Sequence, residues 1–195
     1  MTLAALGWGD RRQAPEGATV ARIVAEHRGA YHAYGPGGVA WAEATGRAFH
    51  RATDKRALPT VGDWVVVDRW PEALGGSGAA VIQALLPRTS LLVRRAAGDA
   101  ARPQPLAANV DVGLVMTSAN ADLSPARLDR YLGVLTDAGV PAAIVLSKID
   151  LVPDPAALAE PLRARAPVVA ISAVTGAGLP ELRALVPPSA AAVLL

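Results

Sequence analysis

The sequence lacks several features that would otherwise narrow its class: it has no cysteine, 4% aromatic residues and only 18% charged residues. Without cysteine the chain can form neither disulfide bonds nor thiolate metal sites. No uninterrupted apolar run approaches the ~20 residues that a membrane-spanning helix needs. The N-terminus has no basic region ahead of an apolar segment, so a secretory signal is not predicted. We therefore expect a cytoplasmic protein without a membrane partner.

The chain has 195 residues, 52% of them hydrophobic, which is enough for one large domain or two small ones. Its charge is distributed unevenly. Residues 1–103 contain 13 Lys and Arg against 9 Asp and Glu, a balance of +4, whereas residues 104–195 contain 6 and 8, a balance of −2. A basic first half suggests that this half binds a polyanion. An ordinary solvated surface in an arginine-rich protein would give the same balance.

The first half of the chain is typical of a small β-barrel. "TVARIVAEH" alternates apolar and polar residues, and "AYHAYGPGGVAWAEA" contains two short runs around a Gly-Pro-Gly-Gly turn. "VGDWVVVDRW" and "EALGGSGAAVIQALLP" add further strands and a glycine-rich turn. Five strands in roughly 80 residues is the size of an OB-fold, a common oligonucleotide-binding barrel. Other small barrels would show the same pattern.

From residue 110 the pattern changes to alternating strands and helices. "VDVGLVMTSA" is a continuous apolar run, as expected of a strand buried on both faces. The next helix is predicted to begin with Ser124 as N-cap and Pro125 at its first position, and to end at Gly139. "PAAIVL", "PVVAIS" and "SAAAVLL" are the later strands, separated by two further helices. This order predicts a parallel sheet with crossover helices, and the polar, proline-containing segment 94–109 is predicted to be the linker.

Two polar motifs follow neighbouring strands of the predicted sheet, so both should lie at its carboxyl edge. Ser147-Lys148-Ile149-Asp150 follows one strand, and Ser172-Ala173 follows the next. An ionised Asp150 can accept two hydrogen bonds from the ring N–H and the amino group of guanine, a donor pair that adenine lacks. The stem of Lys148 can cover the base plane, the Ala173 N–H can donate to the guanine carbonyl, and Ser172 can brace the loop.

The first motif alone is also compatible with a strand-ending turn, a solvated lysine and a helix-leading aspartate. The second motif, one strand later, favours guanine recognition. No phosphate-binding G-x-x-x-x-G-K-[ST], no D-x-x-G and no dinucleotide-binding G-x-G-x-x-G occurs in the 195 residues. His27, His32 and His50 have no metal-ligand spacing and are interpreted as surface or turn residues.

Longer stretches resemble one known family. "AANVDVGLVMTSANADLSPARLDRYLGVLTDAGVPAAIVLSKIDLV" is similar to the small-ribosomal-subunit-dependent GTPase A family, the circularly permuted GTPases of bacterial ribosome assembly. "LPTVGDWVVVD", "VIQALLPRTSLLVRRAAG" and the leader "LGW" resemble the N-terminal OB-fold domain of that family. The resemblance implies a leader (1–15), an OB-fold RNA-binding domain (16–93), the linker, and the first part of a permuted P-loop GTPase domain (110–195).

In that family the guanine element precedes the phosphate loop, the Mg²⁺-binding residues and the switches. We therefore expect this chain to be the N-terminal portion of such a protein, with no catalytic or metal-binding residue of its own and no GTP hydrolysis by itself. The family's C-terminal zinc domain, the expected site of Zn²⁺, would lie outside it. The expected ligands are GTP with Mg²⁺ and GDP, and the expected partner of the monomer is the small ribosomal subunit.

Two positions depart from the family pattern. Ser147 stands where the family usually has Asn, and its shorter hydroxyl should anchor the loop less firmly without abolishing guanine selection. Val174 stands where many GTPases have Lys after Ser-Ala, but only the backbone of that stretch needs to contact the base.

The resemblance also implies contact between the OB-fold and rRNA. The candidate basic residues are Arg47, Arg51, Lys55, Arg56, Arg94 and Arg95. Trp41 or Tyr34 could stack on bases, although either could instead belong to the barrel core. The alternative to a GTPase is a non-catalytic OB-fold RNA-binding module with a silent α/β partner domain. A dinucleotide-binding enzyme ranks well behind both.

Overall fold

The computed structural model describes residues 2–9, 13–46, 54–95, 103–120 and 123–195. The chain divides into two compact units, Met1–Asn109 and Val110–Leu195. No described helix combines the length and the apolar character that crossing a membrane requires.

The first unit contains the predicted five-stranded barrel. Its strands are β1 (Thr19–His27), β2 (Ala30–Gly35), β3 (Gly38–Ala44), β4 (Trp64–Asp68) and β5 (Ala80–Leu85). The barrel is closed in the order β1-β2-β3-β5-β4, and neighbouring strands are antiparallel except for β3 and β5, which are parallel. A closed barrel leaves no exposed sheet edge.

The barrel core combines several alanines with the larger Tyr31 and Trp70 side chains. Along β2, buried residues alternate with partly exposed ones, as a strand with one solvated face requires. Trp70, at the start of the short helix α1 (Trp70–Leu74), joins the barrel core. A Cβ atom at Gly35 would lie 2.5 Å from the Trp70 indole, so only glycine leaves room for that ring. The Trp70 indole N–H donates to the Pro36 carbonyl at 2.7 Å.

A buried ion pair holds the connection before β4. The Arg88 guanidinium donates to both oxygens of the fully buried Asp63 carboxylate, at 2.7 and 2.6 Å. Arg88 also donates to the carbonyls of Arg56 and Leu58. Removing one partner of a buried pair typically costs about 3–5 kcal/mol, because the other charge remains desolvated. Asp63 and Arg88 therefore fix the residues that precede β4.

The prediction that residues 94–109 form a linker is wrong for most of the residues that the structure describes in this range. β6 (Leu91–Arg95) pairs with β7 (Pro103–Ala108) as a two-stranded antiparallel sheet. Asn109, immediately after β7, is buried and donates to the Gly62 carbonyl at 3.0 Å. Prolines in this segment suggested a linker, but a two-stranded ribbon consists of edge strands, where proline is tolerated.

Part of the predicted leader packs on the barrel. A 3-10 helix covers Ala4–Leu6, and the Leu6 carbonyl accepts a hydrogen bond from Arg22 of β1. The Trp8 ring lies 4.9 Å from the buried Trp64 ring, centroid to centroid.

The second unit contains the predicted parallel sheet. Its strands are β8 (Val112–Ser118), β9 (Ala142–Ser147), β10 (Val168–Ala170) and β11 (Ala192–Leu194). These four strands lie in the order β10-β9-β8-β11, and all three neighbouring pairs are parallel. The helices between them are α2 (Pro125–Asp137), α3 (Pro155–Arg163) and α4 (Leu179–Ala184).

The start of α2 follows the sequence prediction. Ser124 is its N-cap and accepts the N–H of Arg127, and Pro125 occupies the first turn. The helix buries Leu128 and Leu135 completely, and the left-handed Gly139 follows its C-terminus. The strand–helix alternation thus places the carboxyl ends of β8, β9 and β10 at one edge of the sheet.

Candidate functional site

Two loops form the candidate site at the carboxyl edge of the parallel sheet. Residues 147–150 include the end of β9, and residues 172–178 follow β10. The Ile149 N–H donates to the Ile171 carbonyl at 3.2 Å, which joins the two loops directly. The structure therefore brings the two sequence motifs together.

Backbone geometry at Lys148 directs the chain away from the sheet. Lys148 has φ 61° and ψ 35°, in the left-handed region that non-glycine residues seldom adopt. A 3-10 helix over Ile149–Leu151 follows at once and contains Asp150 in its first turn. The Lys148 and Asp150 residues are consequently exposed at the edge of the sheet.

Ser172 organises the second loop through its hydroxyl group. The residue is fully buried, and its hydroxyl donates to the Asp150 carboxylate at 2.5 Å. The same oxygen accepts the N–H groups of Val174 at 3.2 Å and Thr175 at 3.1 Å. One side chain therefore sets the position of the Asp150 carboxylate and the path of residues 173–175.

Glycine at position 178 is required by a close backbone approach. Gly178 has φ +72°, and a Cβ atom there would lie 2.0 Å from the Ala170 carbonyl oxygen. Gly176 also has a left-handed φ of +80°, but its Cβ would meet no atom within 4 Å. The glycines of "TGAG" thus have different roles, since only Gly178 lets the loop return to the sheet.

The hydroxyl of Ser147 ties the end of β9 to its neighbour. It donates to the Thr117 carbonyl of β8 at 2.8 Å, and the Ser147 carbonyl accepts the Ala119 N–H at 2.8 Å. Serine is therefore long enough to make one anchor at the position where the resembling family usually has Asn.

The exposed polar groups of these two loops include an acceptor and a donor. Within the described part of the chain, Ser172 is the hydrogen-bond donor to the Asp150 carboxylate, which retains unused acceptor positions. In the same part of the chain, the Ala173 N–H has no acceptor, and the residue is exposed. The two loops therefore present a carboxylate acceptor and an amide donor at the same edge of the sheet.

The structure describes the side chains of only three of the six predicted RNA-binding residues. Arg47 and Arg51, and the side chain of Arg95, lie outside the described part of the chain. Lys55 is exposed. Arg56 donates to the Asp54 carboxylate at 2.7 Å, which lowers the pKa of that carboxyl, and Arg94 donates to Gln104 at 3.0 Å. Two of the described cations therefore already have partners within the chain.

The structure also contains a cluster of three aromatic rings that was not predicted from the sequence. His27 and His32, interpreted separately as surface or turn residues, lie in β1 and β2 and contact Trp41 of β3. The signal available in the sequence was strand alternation, which places His32 and Trp41 on outward-facing positions. His50 lies outside the described residues.

Among the described residues, no three His, Cys, Asp or Glu side chains are grouped so that they could hold a metal ion.

Comparison with known proteins identifies one family. The RsgA GTPase family model matches residues 85–195. The small ribosomal subunit biogenesis GTPase RsgA of Opitutus terrae is 38% identical over an alignment that covers 100% of this chain and 57% of that relative. The RsgA protein of Streptomyces coelicolor is 33% identical, with 98% and 53% covered. The chain thus spans about half the length of the curated relatives it matches.

Two solved structures share the fold at low sequence identity. YjeQ from Thermotoga maritima has a TM-score of 0.62 and 21% identity, covering 86% of this chain and 56% of that one. YloQ, described as a circularly permuted GTPase, has a TM-score of 0.62 and 21% identity, covering 94% and 61%.

Proposed function

The chain belongs to the RsgA GTPase family, and from that premise we propose that its second unit binds the guanine base of GTP and GDP. Asp150 accepts the ring N–H and the amino group, and the Ala173 N–H donates to the carbonyl oxygen. The aliphatic stem of Lys148 covers one face of the base. The observation that carries the proposal is the hydrogen bond between Ser172 and Asp150, which joins the two motifs at one edge of the sheet.

The proposed specificity depends on the pattern of donors and acceptors. A charge-assisted hydrogen bond contributes about 1.5–3 kcal/mol, so two bonds to one carboxylate suffice to discriminate between bases. Adenine offers no pair of adjacent donors on its edge. Ser147, Ile149 and Ser172 hold the loops and need not contact the nucleotide.

The test is competition binding with a fluorescent GDP analogue. It uses the full-length protein, meaning this chain together with the phosphate-binding loop that is expected to follow it. Unlabelled GDP should displace the analogue, and ADP should compete at least about 100-fold more weakly, because it lacks both donors to Asp150. Asp150→Ala should bring GDP and ADP close to each other. Equal competition by GDP and ADP in the unaltered protein would contradict the proposal.

By its family the protein is a candidate for GTP hydrolysis in small ribosomal subunit biogenesis, the process after which its relatives are named. Phosphoryl transfer depends on positioning the phosphates and Mg²⁺. The proposed contacts of loops 147–150 and 172–178 are with the base alone. Their contribution to such a reaction is therefore to select and orient the nucleotide. We expect this activity in the cytoplasm, where ribosomes are assembled.

A second function, RNA binding by the first unit, is favoured by its charge and fold. Residues 1–109 contain 13 Lys and Arg against 9 Asp and Glu, and they include a closed five-stranded barrel in OB-fold strand order. The proposed ligand is rRNA of the small subunit. The alternative to the GTPase, a non-catalytic RNA-binding module, would retain this function alone.

A further inference from the structure

Three rings form a contiguous aromatic cluster on the outer face of β1, β2 and β3. The His32 and Trp41 centroids lie 4.0 Å apart, His27 and His32 are 5.1 Å apart, and His27 and Trp41 are 5.5 Å apart. His32 is directly opposite Trp41 in the β2–β3 register. Tyr31 and Ala33, on either side of His32, are buried in the barrel, so His32 must face outward.

The cluster remains exposed although its rings contact one another. Trp41 is 47% exposed, and Val39, two residues earlier on the same face of β3, is 52% exposed. Cross-strand ring contacts stabilise a sheet, which accounts for the pairing. This stabilisation does not explain why the Trp41 side chain is half-exposed, because tryptophan is strongly buried on average. An exposed ring surface of this kind is available for a ligand with a flat π face.

The charges around the cluster indicate how such a ligand would be held. Arg28 is exposed in the turn immediately after His27, and Glu43 is exposed on β3. These opposite charges nearly balance, so attraction to phosphate at this face is weak. The unit as a whole is basic by +4, which favours a polyanion as the partner. Binding at the cluster itself must then come mainly from contact with the rings.

We propose that His27, His32 and Trp41 form a stacking platform for unpaired bases of RNA. The inference rests on the proposed RNA binding of the first unit and assigns the base contact to this face. Stacking on an aromatic side chain tolerates any base, because every base has a π face. The platform therefore takes single-stranded RNA of mixed sequence, and a duplex, whose bases are already stacked, gains nothing from it.

The test measures binding of a short oligouridylate to the 195-residue chain across a salt series. Trp41→Leu, which retains an apolar side chain without a π face, should weaken binding about 5- to 100-fold. The slope of log affinity against log salt should stay the same, because no phosphate contact is lost. Trp41→Phe should retain most of the affinity, and Val39→Ala, on the same face, should change it little. Inorganic polyphosphate should bind all variants equally.

Each alternative outcome has a distinct meaning. Unchanged oligouridylate affinity in Trp41→Leu, with salt-dependent binding intact, would overturn the platform while leaving RNA binding by the basic residues in place. Absence of RNA binding by the unaltered chain at low salt would overturn both. Equal losses in Val39→Ala and Trp41→Leu would indicate a general apolar docking surface, as for a protein partner, and would overturn base stacking. If Trp41→Leu melts early, His27→Ala at the exposed end of β1 provides the same comparison.

Discussion

The hydroxyl of Ser172 makes three hydrogen bonds from a fully buried position. It donates to Asp150 and accepts two backbone N–H groups, so its loss would leave two amides without an acceptor and the carboxylate without a brace. An unsatisfied buried polar group costs about 1–3 kcal/mol. Ser172 therefore acts as a positioning residue for Asp150.

We predict that Ser172→Ala weakens GDP binding about 10-fold in the full-length protein, equivalent to about 1.4 kcal/mol. The preference for GDP over ADP should survive, since Asp150 is still present but less well positioned. Val174→Ala is the matched control, because Val174 is 85% exposed in the same loop, and it should bind like the unaltered protein. The measurement is the same fluorescent GDP competition. An unchanged affinity in Ser172→Ala would show that the hydrogen bond seen here does not position Asp150.

Sequence reasoning nominated the individual residues of the candidate site but did not predict their arrangement. The spacing of Lys148 and Asp150 after an apolar strand, and of Ser172 after the next, was sufficient to nominate them. The left-handed conformation of Lys148 and the burial of Ser172 could not be predicted. Both depend on how the two strands align, which no short motif encodes.

Among the elements, the loop after β10 shows how a backbone contact determines sequence. Gly178 approaches the Ala170 carbonyl closely enough to exclude any Cβ atom, whereas Gly176 shares its left-handed conformation in open space. Substitutions at Gly176 and Gly178 can therefore distinguish the cost of a left-handed backbone conformation from the cost of steric overlap.

Gly176→Ala should destabilise the protein by about 1–2 kcal/mol, the cost of a left-handed conformation for an L-residue. Gly178→Ala should cost more than about 3 kcal/mol and should also weaken GDP binding, because the loop must leave the sheet to avoid the overlap. Urea denaturation followed by far-UV circular dichroism, which reports mainly on α2, α3 and α4, measures both. Equal losses for the two variants would mean that the loop tolerates the extra carbon atom.

For helices and strands, the prediction from sequence was most accurate where the hydrophobic periodicity of a segment and its length indicated the same structure. The continuous apolar run before Ser118 and the N-cap at Ser124 fixed β8 and the start of α2. The β6–β7 ribbon was missed because Pro103 and Pro105 suggested a linker. The ring cluster was missed because its assembly depends on the pairing of three strands, including an irregularity between Ile23 and Ala25 in β1.

Across the whole molecule, charge is divided unevenly between the two units. Residues 1–109 carry an excess of four positive charges, and residues 110–195 carry 6 Lys and Arg against 8 Asp and Glu. The composition alone suggested this division, and the boundary after Asn109 coincides with the end of the basic portion. Composition does not show which cations are already paired, as Arg88 is with the buried Asp63.

RNA binding by the chain should therefore fall steeply as salt rises, because each neutralised phosphate releases counterions. Replacing the exposed Lys55 with Ala should weaken binding to every RNA sequence alike and reduce the salt slope by about 1. Arg56, already bonded to Asp54, is the comparison, and Arg56→Ala should reduce the slope less. Filter binding or fluorescence anisotropy over a salt series measures both slopes, and a salt-independent signal would contradict an electrostatic contribution.

The most direct measurement of guanine recognition exchanges the base rather than removing the contact. Xanthine carries an oxygen where guanine carries its amino group, so the Asp150 carboxylate repels it and an asparagine amide can donate to it. In the full-length protein, Asp150→Asn should weaken GTP binding about 100-fold, the loss of about 3 kcal/mol of charge-assisted bonding, and should improve binding of xanthosine triphosphate. Lys148→Ala should weaken both nucleotides without changing their ratio, because in the proposed binding mode its stem covers the ring face rather than the edge that distinguishes the two bases. Competition between the two nucleotides for the unaltered protein and both variants decides the matter: a reversal of preference in Asp150→Asn is the predicted result, and an unchanged preference for GTP would contradict guanine recognition by Asp150.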